Sequence, residues 1–186
     1  GDLLKNSDFI LHNVYIALEP LHECDYISKT YNNEIQTYMY IRLSDEASVK
    51  VTENILNYSH IFMEDAWTMA QINTDNDSVC MSMAKALGMP DFLADEFPFY
   101  VVTNSTKTRG ASAILNRELL TDFATAHNCE KLFIIPSSIS LEGLVISIYF
   151  SKNSFISYEN AKTDLINYID MQHKMQDVFF AISEKY

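Results

Sequence analysis

The chain has 186 residues, 48% hydrophobic and 20% charged, the balance of a globular protein long enough to bury its own core. Twenty-five Asp and Glu against 13 Lys and Arg leave a net charge of −12. Phosphate neutralisation needs clustered cations, so nucleic acid and an anionic membrane surface are poor partners, and the acidity reads as a source of solubility.

Phe9 to Leu18 reads as a strand, with Phe9, Leu11, Val14, Ile16 and Leu18 apolar and Glu19-Pro20 ending the run. Residues 20 to 34 are polar and irregular, and Asn32-Asn33 signals a turn. Ile35 to Leu43 alternates as a second strand, and Ala47 to Val51 fits a short hairpin arm beside it. Thr52 is a good N-cap for a helix carrying Ile55 and Leu56. Met63, Ala66, Trp67 and Ala70 share one face of a second helix ending near Ile72, and the polar run Thr74 to Ser78 breaks it as a solvated acidic turn. Val79 to Leu87 reads as a third helix, stopped by Gly88 with Pro90 beyond, and residues 88 to 98 form a connector.

Phe99 to Thr103 and Ala111 to Leu115 read as strands around a polar loop. Asn116 caps a helix running to about His127. Leu132 to Ile135 and Leu144 to Phe150 are strands flanking a turn over Ser137 to Gly143. A stripe that includes Ala161, Leu165, Ile169, Met175, Phe179 and Ile182 forms the last helical region, as one helix or two. The second half thus runs β-β-α-β-β-α. The expected fold class is α+β: two-layer, a mostly antiparallel sheet with helices packed on one face. It is expected to be a single domain over 1–186, divisible into 1–90 and 91–186. From the start at Gly1 instead of Met, it is expected to be the C-terminal part of a longer protein.

Cys24, Cys80 and Cys129 are widely spaced, with no CxxC and no His at ligand spacing. No metal site and no cofactor is expected, and three free thiols fit a cytoplasmic protein. There is no run of about eighteen apolar residues to span a membrane.

The densest polar stretch runs from Asn104 through Ser105, Thr106, Lys107, Thr108 and Arg109 to Gly110. Its cations, amide and hydroxyls suit a small anion or a partner carboxylate. The alternative, which the pattern favours, is a solvated hairpin loop with Gly110 supplying a φ closed to other residues. No phosphate-loop or dinucleotide pattern accompanies them. Ser137 and Ser138, after Pro136, are candidate nucleophiles, and Ser140 adds a further contact hydroxyl. Nucleophilic chemistry needs a base within reach; there is no GxSxG elbow, and His12, His22, His60, His127 and His173 are scattered along the chain. The alternative role for these hydroxyls is to bond backbone at a tight turn.

The order of these features resembles a family of uncharacterised proteins from clostridial gut Firmicutes, a domain of unknown function. The matching pieces are Asp8-Phe9-Ile10 with Asn13-Val14-Tyr15-Ile16, Tyr38-Met39-Tyr40-Ile41-Arg42, and Asp65-Ala66-Trp67 with Asn73-Thr74. Tyr100 to Asn104 with Gly110-Ala111-Ser112, and Ile135-Pro136-Ser137-Ser138-Ile139, match most strongly. In that family the proline-serine run often continues with His-Glu, whereas Ser140-Leu141-Glu142 stands here. The resemblance implies a fold and boundaries but no activity.

The sequence therefore favours a non-enzymatic cytoplasmic binding or interaction domain over an enzyme. Its contact residues are Asn104, Thr106, Lys107, Arg109 and Ser140, and its partner is a protein or small-molecule ligand. The alternative is a hydrolase-type enzyme using Ser137 or Ser138, with Asn104 as oxyanion donor.

Overall fold

The computed structural model describes residues 3–86, 88, 99–129, 131–140 and 143–150, and five positions between 157 and 167. For 99, 135–140 and 143–150 it describes the backbone. The start of the chain differs from the expected strand. Asn6 Oδ1 accepts a hydrogen bond from the Phe9 N–H at 3.0 Å and caps helix α1 (Ser7–Asn13). Strand β1 (Val14–Pro20) follows, so Phe9 to Leu18 is a helix and then a strand.

Strand β1 pairs antiparallel with β3 (Ile35–Arg42). The other side of β3 takes two short strands: β4 (Ser48–Lys50), where the arm at Ala47 to Val51 is expected, and β2 (Ser28–Thr30), which lies in the stretch expected to be irregular. Thr52 caps α2 (Glu53–Ser59) by accepting from the Ile55 N–H. Helix α3 (Met63–Asp77) runs on past Ile72 through the polar residues expected to break it. Tertiary partners carry it there. Thr74 Oγ1 accepts from the Ile16 N–H at 2.9 Å, and Asn116 Nδ2 donates to the Asp75 carbonyl at 3.2 Å.

The period of two divides the first sheet into unlike faces. One buries Val14, Ile16, Met39 and Ile41 against Ile10, Leu56, Ala66, Trp67 and Ala70 of the three helices. Each large side chain so buried contributes about 1.5–3 kcal/mol. The other carries Ala17, Tyr38 and Tyr40, with Tyr15 and Tyr26 packed against them.

The second sheet contains β5 (Ser78–Ser82), β6 (Phe99–Asn104), β7 (Leu132–Ser140) and β8 (Gly143–Phe150), in the order β5-β6-β8-β7, all antiparallel. Strand β5 stands where a helix is expected over Val79 to Leu87. Pairing with β6 overrides the local pattern, and only α4 (Met83–Ala86) is helical. The expected strand Ala111 to Leu115 is a 3-10 segment, Gly110–Leu115, whose first four residues are buried. It packs against β1, β6 and β8, joining the two sheets. Asn116 caps α5 (Arg117–Ala126) by accepting from the Leu119 N–H at 3.0 Å.

Strand β7 passes through Pro136 and the serines, with a bulge between Pro136 and Ser138, so Ser137 to Ser140 belong to the strand and not to the expected turn. The fold is α+β with antiparallel sheets. The second strand of the expected β-β-α-β-β-α order is replaced by the 3-10 segment. The apolar stripe from Ala161 to Ile182, with its question of one helix or two, and most of the connector 88–98 lie outside the described residues. Among the described residues no helix is long and apolar enough to cross a membrane.

A candidate binding cleft between two loops

Strand β6 delivers Asn104 to the start of the polar loop. Asn104 is buried and closes that loop on itself. Its Nδ2 donates to the Thr108 carbonyl at 2.7 Å, and its Oδ1 accepts from Thr106 Oγ1 at 3.1 Å. Lys107 and Arg109 take the left-handed conformation, with φ of 57° and 55°. Gly110 does not, which corrects the expected reason for glycine there. Its role is close approach: a Cβ at Gly110 would stand 2.0 Å from Thr103 Oγ1.

The folded loop brings Arg109 to the outer, tyrosine-bearing face of the first sheet. Arg109 Nη1 donates to Ser48 Oγ at 2.8 Å, and its guanidinium lies 4.6 Å from the Tyr40 ring centre. Arg42 lies on the same face. Its Nη2 donates to Asp77 Oδ2 at 2.7 Å, and its guanidinium stacks 3.9 Å over the Tyr15 ring. Asp77 also accepts a short hydrogen bond from Ser105 Oγ. Tyr40, Arg42, Ser48, Thr106, Thr108 and Arg109, together with the turn from Ser44 to Ala47, line a cleft of about 430 Å³.

Burial pushes the Tyr38 and Tyr40 phenols above their ordinary pKa, offset in part by Arg109 at Tyr38 and by Arg42 at Tyr40. Both therefore stay protonated at neutral pH. Burial disfavours the Arg42 charge, but hydrogen bonds to Asp77 and Tyr40 outweigh it and raise its pKa. The cleft thus holds two permanent cations, several neutral hydroxyls and the carboxylates of Asp45 and Glu46.

A second polar cluster lies on the same face. Glu19 Oε1 accepts from Tyr26 Oη at 2.6 Å and from Gln36 Nε2 at 2.9 Å, with His22 Nε2 at 3.2 Å. Glu19 Oε2 accepts from Lys50 Nζ at 3.3 Å. Burial raises the Glu19 pKa, but the hydrogen bonds from Tyr26, Gln36 and Lys50 outweigh it, so the carboxyl lies below its ordinary value. With its oxygens so occupied, Glu19 serves to clamp the segment holding His22 and Tyr26 onto the sheet.

Of the sequence-predicted site residues, Thr106 and Arg109 meet in the cleft. Asn104 holds the loop instead of lining the cleft, and its Nδ2 is hydrogen-bonded to the Thr108 carbonyl. Lys107 is exposed and is not among the lining residues. The side chains of Ser137, Ser138 and Ser140 lie outside the described residues. Their backbone is on β7, separated from β6 by β8, which sets the two strands about 9–10 Å apart. Register places Ser140 and Asn104 toward the same end of the sheet. Asp77 is a buried-edge partner of Arg42, not part of a solvated acidic turn.

Arg42, Tyr40, Ser48 and Asp77 are missed by sequence reasoning about the site. One signal was available: Tyr38, Tyr40 and Arg42 alternate along one strand and so share one face.

The model of the family of unknown function DUF5688 matches residues 35–165, and the chain belongs to that family. No curated protein and no solved structure gives a match.

Proposed function

We propose that this member of DUF5688 is a binding domain whose ligand sits in the cleft between the Asn104–Gly110 loop and the turn between β3 and β4. One observation carries this reading. Arg42 and Arg109, remote in sequence, converge with Ser48, Thr106 and Thr108 on one open cleft. Guanidinium groups stacked on tyrosines are held in place and bind carboxylates or phosphates with little loss of side-chain freedom. The ligand is a small molecule, or an exposed group of a partner protein, that carries a negative charge.

The three unpaired cysteines support a cytoplasmic setting. The net charge of −12 argues against nucleic acid and against an anionic membrane surface as partners. Titration calorimetry with a panel of small carboxylates and phosphates tests the proposal. At least one member should bind, and Arg109→Gln should weaken it by about 1.5–3 kcal/mol, the worth of a charged hydrogen bond. Binding that ignores Arg109, or no Arg109-dependent binding by this panel or by the zwitterions below, overturns it. Ester turnover that disappears in Ser137→Ala or Ser138→Ala would favour the hydrolase alternative.

A further inference from the structure

Unneutralised charges of both signs line the cleft. Arg109 donates to a neutral hydroxyl, Ser48 Oγ, at 2.8 Å, and among the described residues it forms no ion pair. Arg42 differs, because Asp77 neutralises it at 2.7 Å. The turn between β3 and β4 adds Asp45 and Glu46 to the same cleft. Both are exposed, and among the described residues neither pairs with a cation.

Opposite charges that share a cavity without touching favour a molecule carrying both. A simple anion would gain Arg109 but face two carboxylates. A simple cation would meet the reverse. The cleft, at about 430 Å³, lies within the range of about 300–1,000 Å³ usual for small-molecule sites.

We infer that the cleft takes a short zwitterion, an α-amino acid or a dipeptide, with its carboxylate on Arg109 and its ammonium toward Asp45 and Glu46. The inference rests on the cleft reading above and adds the ligand's chemical class. Ser48, Thr106 and Thr108 supply hydroxyls for the remaining polar atoms of such a ligand.

The experiment is saturation-transfer NMR and titration calorimetry on the full chain. The probes are the free amino acids in small pools and the dipeptide Ala-Ala. Two half-charged controls, the N-acetyl derivative and the C-terminal amide, are made for any probe that binds. Removing either ligand charge should weaken binding about tenfold or more, the effect of losing one charged hydrogen bond. Asp45→Asn combined with Glu46→Gln, two exposed side chains, should weaken the zwitterion but not its N-acetyl derivative.

If the N-acetyl derivative binds as well as the parent and still needs Arg109, the zwitterion inference fails while the anion cleft stands. If no probe binds in an Arg109-dependent way, and the carboxylate and phosphate panel is also silent, both fail. Arg109→Lys keeps the charge and, checked by circular dichroism, separates loss of the fork from loss of the fold.

Discussion

A Cβ at Gly110 would meet Thr103 Oγ1 at 2.0 Å, Thr103 Cβ at 2.9 Å and the Asn104 backbone nitrogen at 3.0 Å. Gly110→Ala should therefore cost about 1–3 kcal/mol in urea denaturation, the usual penalty for overpacking. Thr103→Ala in the same chain should return part of that loss, because it removes Oγ1, the nearest of the three atoms, and leaves Thr103 Cβ and the Asn104 nitrogen in place. Full recovery, or none, would show that the backbone and side-chain contacts are weighted differently. Glu19 sets a pH dependence. Its folded pKa lies below its ordinary 4.5, so the stability it contributes is complete above that value and is lost as pH falls through the folded pKa. Glu19→Gln should be less stable than the parent at pH 7, and the gap should close on acidification toward pH 3. A gap that stays constant with pH would remove Glu19 from the account. Neither effect is visible in the sequence, since Gly110 reads there as a turn residue and Glu19 as the end of a strand.

At the scale of elements, the caps were the most legible feature. Thr52 and Asn116 each accept from the N–H three residues on, an interaction contained within one turn of chain. Asn116→Ala should cost about 1–2 kcal/mol, at the upper part of the range for caps, because Asn116 also donates to the Asp75 carbonyl. Thermal unfolding of that variant beside Thr52→Ala, which lacks the second bond, checks the difference. Three of the elements misread from sequence owe their state to tertiary partners. Val79, Cys80 and Met81 fit a helix locally and become a strand only because β6 offers Thr103, Val102 and Val101 as partners. Ala111 to Leu115 alternates too little to fix its state, and its small side chains let a 3-10 segment fit among β1, β6 and β8. Thr74 to Asp77 looks like a helix breaker until Ile16, Asn116, Arg42 and Ser105 are seen to satisfy it.

Across the whole molecule, the site was half legible. The loop residues Thr106 and Arg109 announce themselves as a run of polar groups, whereas Arg42 and Ser48 join them only through the packing of one sheet face on a distant loop. The cysteines give a molecule-wide test of packing. Burial pushes the Cys80 thiol up to about 11, and burial also raises Cys129. At pH 8 about one Cys80 thiol in a thousand is then ionised, so iodoacetamide should leave it unmodified in the folded protein and label it in urea. Peptide mass spectrometry reads the outcome, and rapid labelling of Cys80 without denaturant would contradict the packing of β5. Pro136 bears on how molecules behave toward one another. Strand β7 is one of the two outer strands, with β5, among the described strands of its sheet, and such an outer strand is a place where a neighbouring copy could add a strand of its own. A proline suits a strand where its missing N–H faces away from the ladder, and the bulge beside it throws the register off by a residue. A strand laid along β7 would find the template interrupted halfway, at the same residues that read from sequence as a catalytic turn.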